Sequence, residues 1–241
     1  MKPCPERAPL PEALERPERG RVLLFAPHPD DDLIGAGLTA HWHALQGDPV
    51  RVVVAYDGAL GGAPGQSLGR ADLVALRAAE ARAGGAVLGL DDYRFLGYPE
   101  GHLPGPGEFA SAVAQVAGLL AEFRPDLVYG PWIGEHQIDH HVLCRVLRAA
   151  LARVGFKGQA WGYEVWTPLV PTRVIDVSAC FELKRRGLEK HQSQMAHTQL
   201  VHHITGLNAH RALYLPKGAR YGEAFAPLGQ SSADDLALLP G

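Results

Sequence analysis

The stretch Ala26-Pro27-His28-Pro29-Asp30-Asp31-Asp32 directly follows the wholly apolar run Val22-Leu23-Leu24-Phe25, and it constrains the fold more than any other part of the chain. A short continuous apolar run reads as a strand buried on both faces, which belongs in a parallel sheet covered by helices. The prolines fix their own φ and hold the residues before them extended, so the chain leaves the strand stiffly. One imidazole and three carboxylates are thereby set at the carboxyl edge of the sheet, where open α/β folds place their ligands.

The remaining pattern fits that frame. Further strands are expected over Val50–Ala55, Tyr93–Leu96, Leu127–Tyr129, Trp161–Trp166 and Arg173–Val177. Helical spacing covers Leu33–Leu45, a segment from Arg70, Phe109–Phe123, a segment running to about Val154, and Phe181–Met195. Strands alternating with helices imply an α/β, Rossmann-like chain: a mostly parallel sheet with helices on both faces. Gly35 and Gly37 cost helix propensity and point to close packing of the first helix on the sheet. His41 and His43 are expected on its exposed side. Residues 1–20, rich in Pro, Glu and Arg, read as an irregular extension, and 21–241 as one domain. Beyond His197 the pattern weakens, with a loose tail expected near Ser231–Asp235. The glycine-rich stretch Asp57–Gly69 reads either as a substrate lid or as a long surface loop.

Composition narrows the function. A net charge of −3 without a basic block argues against nucleic acid or an anionic membrane as partner. No apolar run is long enough to span a bilayer. The cysteines at 4, 144 and 180 form no C-x-x-C pair, so neither a disulfide framework nor a thiolate zinc site is supported, and a cytoplasmic setting is expected.

A second polar cluster, Glu135-His136-Gln137-Ile138-Asp139-His140-His141, follows the fourth strand. Two imidazoles and a carboxylate from the two clusters make a three-ligand site with open positions, as catalytic zinc requires. The same donors suit iron(II). Three adjacent carboxylates without a cation repel one another, and a divalent ion removes that conflict. Each cluster also has a plainer reading: carboxylates capping a helix N-terminus, and solvated histidines on a first turn.

His28-Pro29-Asp30-Asp31-Asp32 resembles the His-Pro-Asp-Asp-Glu signature of the PIG-L/LmbE-like family of zinc-dependent N-deacetylases. Arg77-x-x-Glu80 with Leu88-Gly89-Leu90, Tyr98-Pro99-Glu100-Gly101, Asp139-His140 and His191-x-Ser193-Gln194 resemble later parts of the same family, from about Arg21 to Gln194. The resemblance implies zinc, or another divalent metal, held by His28, Asp31 and His140. It implies Asp30 as general base, and Arg77 and Glu100 as substrate-binding residues. The substrate implied is a small N-acetylated molecule of the N-acetylglucosamine type; homo-oligomerisation stays open. Arg77 has a plainer reading as a helix-surface partner of Glu80, worth only a few tenths of a kcal/mol. Many members carry His three residues before the second ligand His. Here Gln137 stands there, with His136 beside it, so the group that stabilises the developing oxyanion is Gln137 or His136. Ligation by His141 in place of His140 is the other register. A non-catalytic or weakly active relative acting as a binding or sensor protein is the alternative function.

Overall fold

A computed structural model of the chain describes residues 10–62 and 68–229. The strands are β1 (Glu12–Leu14), β2 (Val22–Ala26), β3 (Val50–Tyr56), β4 (Asp92–Tyr98), β5 (Leu127–Pro131), β6 (Gln159–Tyr163), β7 (Arg173–Asp176) and β8 (Gly222–Pro227). The helices are α1 (Asp31–Leu45), α2 (Arg70–Val87), α3 (Pro106–Phe123), α4 (Ile138–Arg153), α5 (Phe181–Leu188), α6 (Gln192–Met195) and α7 (Leu200–Arg211). The sheet order is β1-β7-β8-β6-β5-β2-β3-β4, with β8 antiparallel to both neighbours and every other pair parallel.

Alternation along β2 serves two cores at once. Val22, Leu24 and Ala26 pack with α1, α2, α5 and α7, while Leu23 and Phe25 pack with α3 and α4 on the opposite face. From β2 the chain builds outward to β3 and β4, then returns to lay β5 on the other side of β2. Strand order therefore reverses between β2 and β5. The crevice at that reversal is where an α/β sheet of this kind leaves room for a ligand, and both polar clusters emerge there.

The entry of α1 is tightly built. A Cβ on Gly35 would lie 1.9 Å from the Tyr163 ring, so glycine is required for the helix to lie against β6. The helix kinks at Ala36, whose φ/ψ of −139°/19° is not helical. The backbone groups freed by the kink are taken up by a buried ion pair. Lys184 Nζ donates to the Ile34 carbonyl and to Glu223, and Glu223 accepts from the Leu38 and Thr39 amides.

Several expectations are corrected. Glu12–Leu14, inside the segment expected to be irregular, forms an edge strand pairing with β7; residues 1–9 lie outside the described residues. His41 and His43 are buried rather than exposed. His41 Nδ1 donates to the Leu88 carbonyl at 2.8 Å, and His43 sits between Asp48 and the Tyr129 hydroxyl at 2.9 and 3.1 Å. Leu45, the last residue of that helical spacing, is exposed at the end of α1. The helix expected over Phe181–Met195 breaks into α5 and α6 at His191. Beyond His197 the chain is ordered through α7 and β8. Residues 63–67 of the glycine-rich stretch and the expected tail at Ser231–Asp235 lie outside the described residues.

Candidate metal centre

The rigid Pro27-His28-Pro29 exit from β2 delivers His28, and the first turn of α1 supplies Asp31 within one tight turn. The Asp31 carboxylate accepts from the His28 backbone N–H at 2.9 Å, which closes that turn. The second helical residue after Ile138 on α4 supplies His140 from the neighbouring strand β5. Three donor atoms converge: His28 Nδ1 and Asp31 Oδ2 at 3.1 Å, His28 Nδ1 and His140 Nε2 at 3.2 Å, and Asp31 Oδ2 and His140 Nε2 at 3.1 Å. Tetrahedral zinc with bonds of about 2.0–2.1 Å separates its ligand atoms by about 3.3 Å. The donors present therefore fit a divalent ion in type, number and spacing, and all three residues are buried.

The local field favours positive charge at this point. Burial alone would lower the His28 pKa, but hydrogen bonds to Asp139 and Asp31 outweigh it and raise the ring to about 10. Burial alone would raise Asp31, yet His140 and His28 hold its carboxyl far below the usual range. The proton on the His28 ring is the charge that a metal ion would replace.

Carboxylates stand behind the imidazoles. Asp139 Oδ2 lies 3.0 Å from His28 Nε2 and is itself fixed by the Gly101 amide at 2.9 Å. Glu135 Oε2, fully buried, lies 3.6 Å from His140 Nδ1, a charge contact beyond hydrogen-bond distance. Glu135 is anchored by the Val165, Trp166 and Thr167 amides, at 2.7, 3.2 and 3.2 Å. A hydrogen-bonded carboxylate such as Asp139 fixes the ring orientation that turns the other nitrogen toward a metal. The sequence singled out neither Glu135 nor Asp139 for such a position. Only their place beside the ligand histidine hinted at it.

Around the donors, Asp30 is buried and accepts from Arg77 Nη2 at 3.3 Å. Arg77 is not a surface partner of Glu80. It is buried and reaches Asp30 and the Gly58 carbonyl, and its Nε has no partner among the described residues. Glu80 turns instead to Ser193, accepting from its amide and hydroxyl at 2.9 and 2.6 Å. Glu100 lies 3.6 Å from His28 Nε2 and 4.0 Å from Arg77, and accepts from the Leu60 amide at 2.7 Å. Asp32, pushed up to about 7 by burial, points away to the Tyr93 hydroxyl at 2.5 Å.

The structure thus gathers His28, Asp30, Asp31, Arg77, Glu100 and His140. Gln137 is the N-cap residue of α4 and makes no capping bond, so its amide is uncommitted to the helix end. His136 is exposed and lies 2.7 Å from the Thr167 hydroxyl. His141 lies 3.1 Å from the Ile133 carbonyl, outside the convergent donor set.

Comparison with known proteins follows the same lines. Residues 23–151 match the family described as PIG-L, GlcNAc-PI de-N-acetylase. The chain is 36% identical over 156 residues to 1D-myo-inositol 2-acetamido-2-deoxy-alpha-D-glucopyranoside deacetylase of Mycobacterium sp. (strain KMS), covering 55% of this chain and 50% of that protein. It spans about half the length of the curated relatives it matches first. In shape it is similar to N,N'-diacetylchitobiose deacetylase from Pyrococcus horikoshii, with a TM-score of 0.71, 23% identity, and coverage of 86% of this chain and 82% of that one. It is also similar to GalB, the 4-carboxy-2-hydroxymuconate hydratase of Pseudomonas putida KT2440, with a TM-score of 0.73, 16% identity, and coverage of 88% and 98%. At these identities the structural likenesses concern the fold.

Proposed function

The chain belongs to the PIG-L family, and from that membership we propose that it is a metal-dependent N-deacetylase acting on an N-acetylglucosamine-type or similar N-acylated small molecule. The observation that carries this reading is the convergence of His28 Nδ1, Asp31 Oδ2 and His140 Nε2 within 3.2 Å of one another, with Asp30 beside them. Those three residues hold the ion, zinc in the first instance, which when bound polarises the amide carbonyl and lowers the pKa of a water.

The chain's own groups do the rest. Asp30 takes the proton from the attacking water and gives it to the departing amine nitrogen, which then leaves as a free amine. Arg77 aims that carboxylate through its 3.3 Å contact. Arg77 and Glu100 face the space beside the reacting amide, where hydroxyl groups of a sugar would lie. The Gln137 side chain donates a neutral hydrogen bond to the oxygen on which charge develops. His136 is the weaker candidate for that task, because it is already engaged with Thr167.

Purified protein loaded with zinc is expected to release acetate from a panel of N-acetylated sugars. Absence of release from the whole panel, with metal demonstrably bound, would remove the deacetylase reading. The second reading, a weakly active relative retained as a sensor, draws on Gln137 standing where many members carry His. A large gain in turnover in Gln137→His would favour it.

A further inference from the structure

Beside the metal donors, between α3, α4 and residues 98–104, lies a cavity of about 540 Å³. Its apolar walls include Tyr56, Ala112, Val142, Leu143 and Val146. Its polar lining is largely self-satisfied: exposed His102 pairs with Glu108 at 3.0 Å, and the Tyr98 hydroxyl donates to Gln115 at 2.9 Å. Tyr56 is common to the cavity and the metal site. Its ring lines the one and lies 5.7 Å from the His28 ring in the other. Val142 and Leu143 lie two and three residues after His140 along α4, so the helix that presents His140 also floors the cavity.

An acetyl group, with a single methyl beyond its carbonyl, uses none of this room. The partitioning of charge around the centre says which half of an amide would. Asp30 is bonded to Arg77, Arg77 to the Gly58 carbonyl, and Gln194 to the Gly61 carbonyl. The amine half must reach Asp30 for its proton and so lies on that polar side. The acyl half then extends toward Tyr56. We propose that the cavity receives a linear acyl chain, so that the preferred substrate is an N-acyl amine with an acyl group longer than acetyl. The proposal rests on the deacylase reading above and specifies its substrate class. The step stays a simple hydrolysis. Water oxygen bonds to the acyl carbon, the C–N bond breaks, the nitrogen leaves with the proton carried by Asp30, and a longer-chain carboxylate is the second product. Each methylene buried in the cavity is expected to raise kcat/KM about fourfold until the space is filled.

The test uses the zinc-loaded chain with N-acetyl-, N-butanoyl-, N-hexanoyl- and N-octanoylglucosamine, measuring release of free amine, and calorimetric titration with octanoate as a readout independent of turnover. The expected result is kcat/KM rising along the series and saturable octanoate binding. Ala112→Phe, which fills the cavity, should lower the octanoyl-to-acetyl ratio at least tenfold and weaken octanoate binding. Val146→Phe is the second filling variant, used if circular dichroism shows Ala112→Phe to be misfolded. Acetate release without activity on longer amides, or an equal loss on all amides in the filling variants, would overturn the acyl-chain assignment and leave the deacetylase reading standing. Failure to cleave any amide would overturn both, and that outcome is distinct from the first.

Discussion

His28 turns its Nε2 to the Asp139 carboxylate 3.0 Å away, and so leaves Nδ1 facing Asp31 and His140. A carboxylate only accepts, so the hydrogen on Nε2 is held there, and Nδ1 is the nitrogen whose proton a metal ion would displace. Removing the carboxylate removes the reason for that arrangement. Asp139→Ala is therefore expected to weaken metal binding about 10–100-fold while leaving the three donors in place. Competition with a chromophoric chelator measures this, and unchanged affinity would show that Asp139 does not orient His28.

Asp30 stands next to the donor Asp31 but is bonded to Arg77. Its carboxylate can therefore be neutralised without dismantling the donor set. Asp30→Asn should bind metal as the parent does and lose about 10²–10⁴-fold in kcat. Equal losses of metal and activity would instead place Asp30 among the ligands.

The positions of these two residues, and the strand-end location of the whole centre, were legible in the sequence because Val22–Phe25 is unmistakably a buried strand and Pro27 and Pro29 leave its exit little freedom. The outer sheet was less legible. β1 has three residues on an exposed edge and little pattern to show. β8 contains Gly222, Glu223 and a proline, and its charged residue is buried against a lysine nearly forty positions away. His41 and His43 were misplaced because helical periodicity assumes one wet side, whereas α1 is covered by the sheet, α2 and α5. The position of Glu135 depends on a turn at Val165–Thr167 that no local pattern connects to it.

The Lys184–Glu223 pair supports the site from below. It completes the hydrogen bonding of α1 at the kink, one turn past Asp31 and Asp32. Both side chains are fully buried. Glu223→Gln leaves the ammonium without its counter-charge and is expected to cost about 3–5 kcal/mol. Urea unfolding measures it. The double variant Lys184→Met with Glu223→Gln should be less destabilised than the sum of the two single changes, since neither partner is then left as a lone buried charge. Strict additivity would mean that the pair does not act as a unit.

His191 gives the fold a dependence on pH that can be separated from the metal centre. It sits at the break between α5 and α6, fully buried; among the described residues no side chain pairs with either ring nitrogen, and the Pro29 backbone is the polar group beside it. Burial depresses its pKa below 6.5, although Asp30 and Glu80 pull the other way and Arg77 adds to the depression. The folded chain thus keeps this ring neutral at a pH where the unfolded chain already binds a proton. Between the depressed value and about 6.5, stability must fall as pH is lowered, no more steeply than about 1.4 kcal/mol per pH unit for one group, and the contribution is intact above that window. His191→Leu keeps an apolar filling and cannot titrate. Urea unfolding of the parent and the variant from pH 5 to 8 should give curves whose difference is flat above pH 6.5 and changes in favour of the variant below it. Groups common to the parent and the variant cancel from that difference. A difference independent of pH would mean that His191 is already neutralised by a partner in the folded chain, and that its burial costs nothing on acidification.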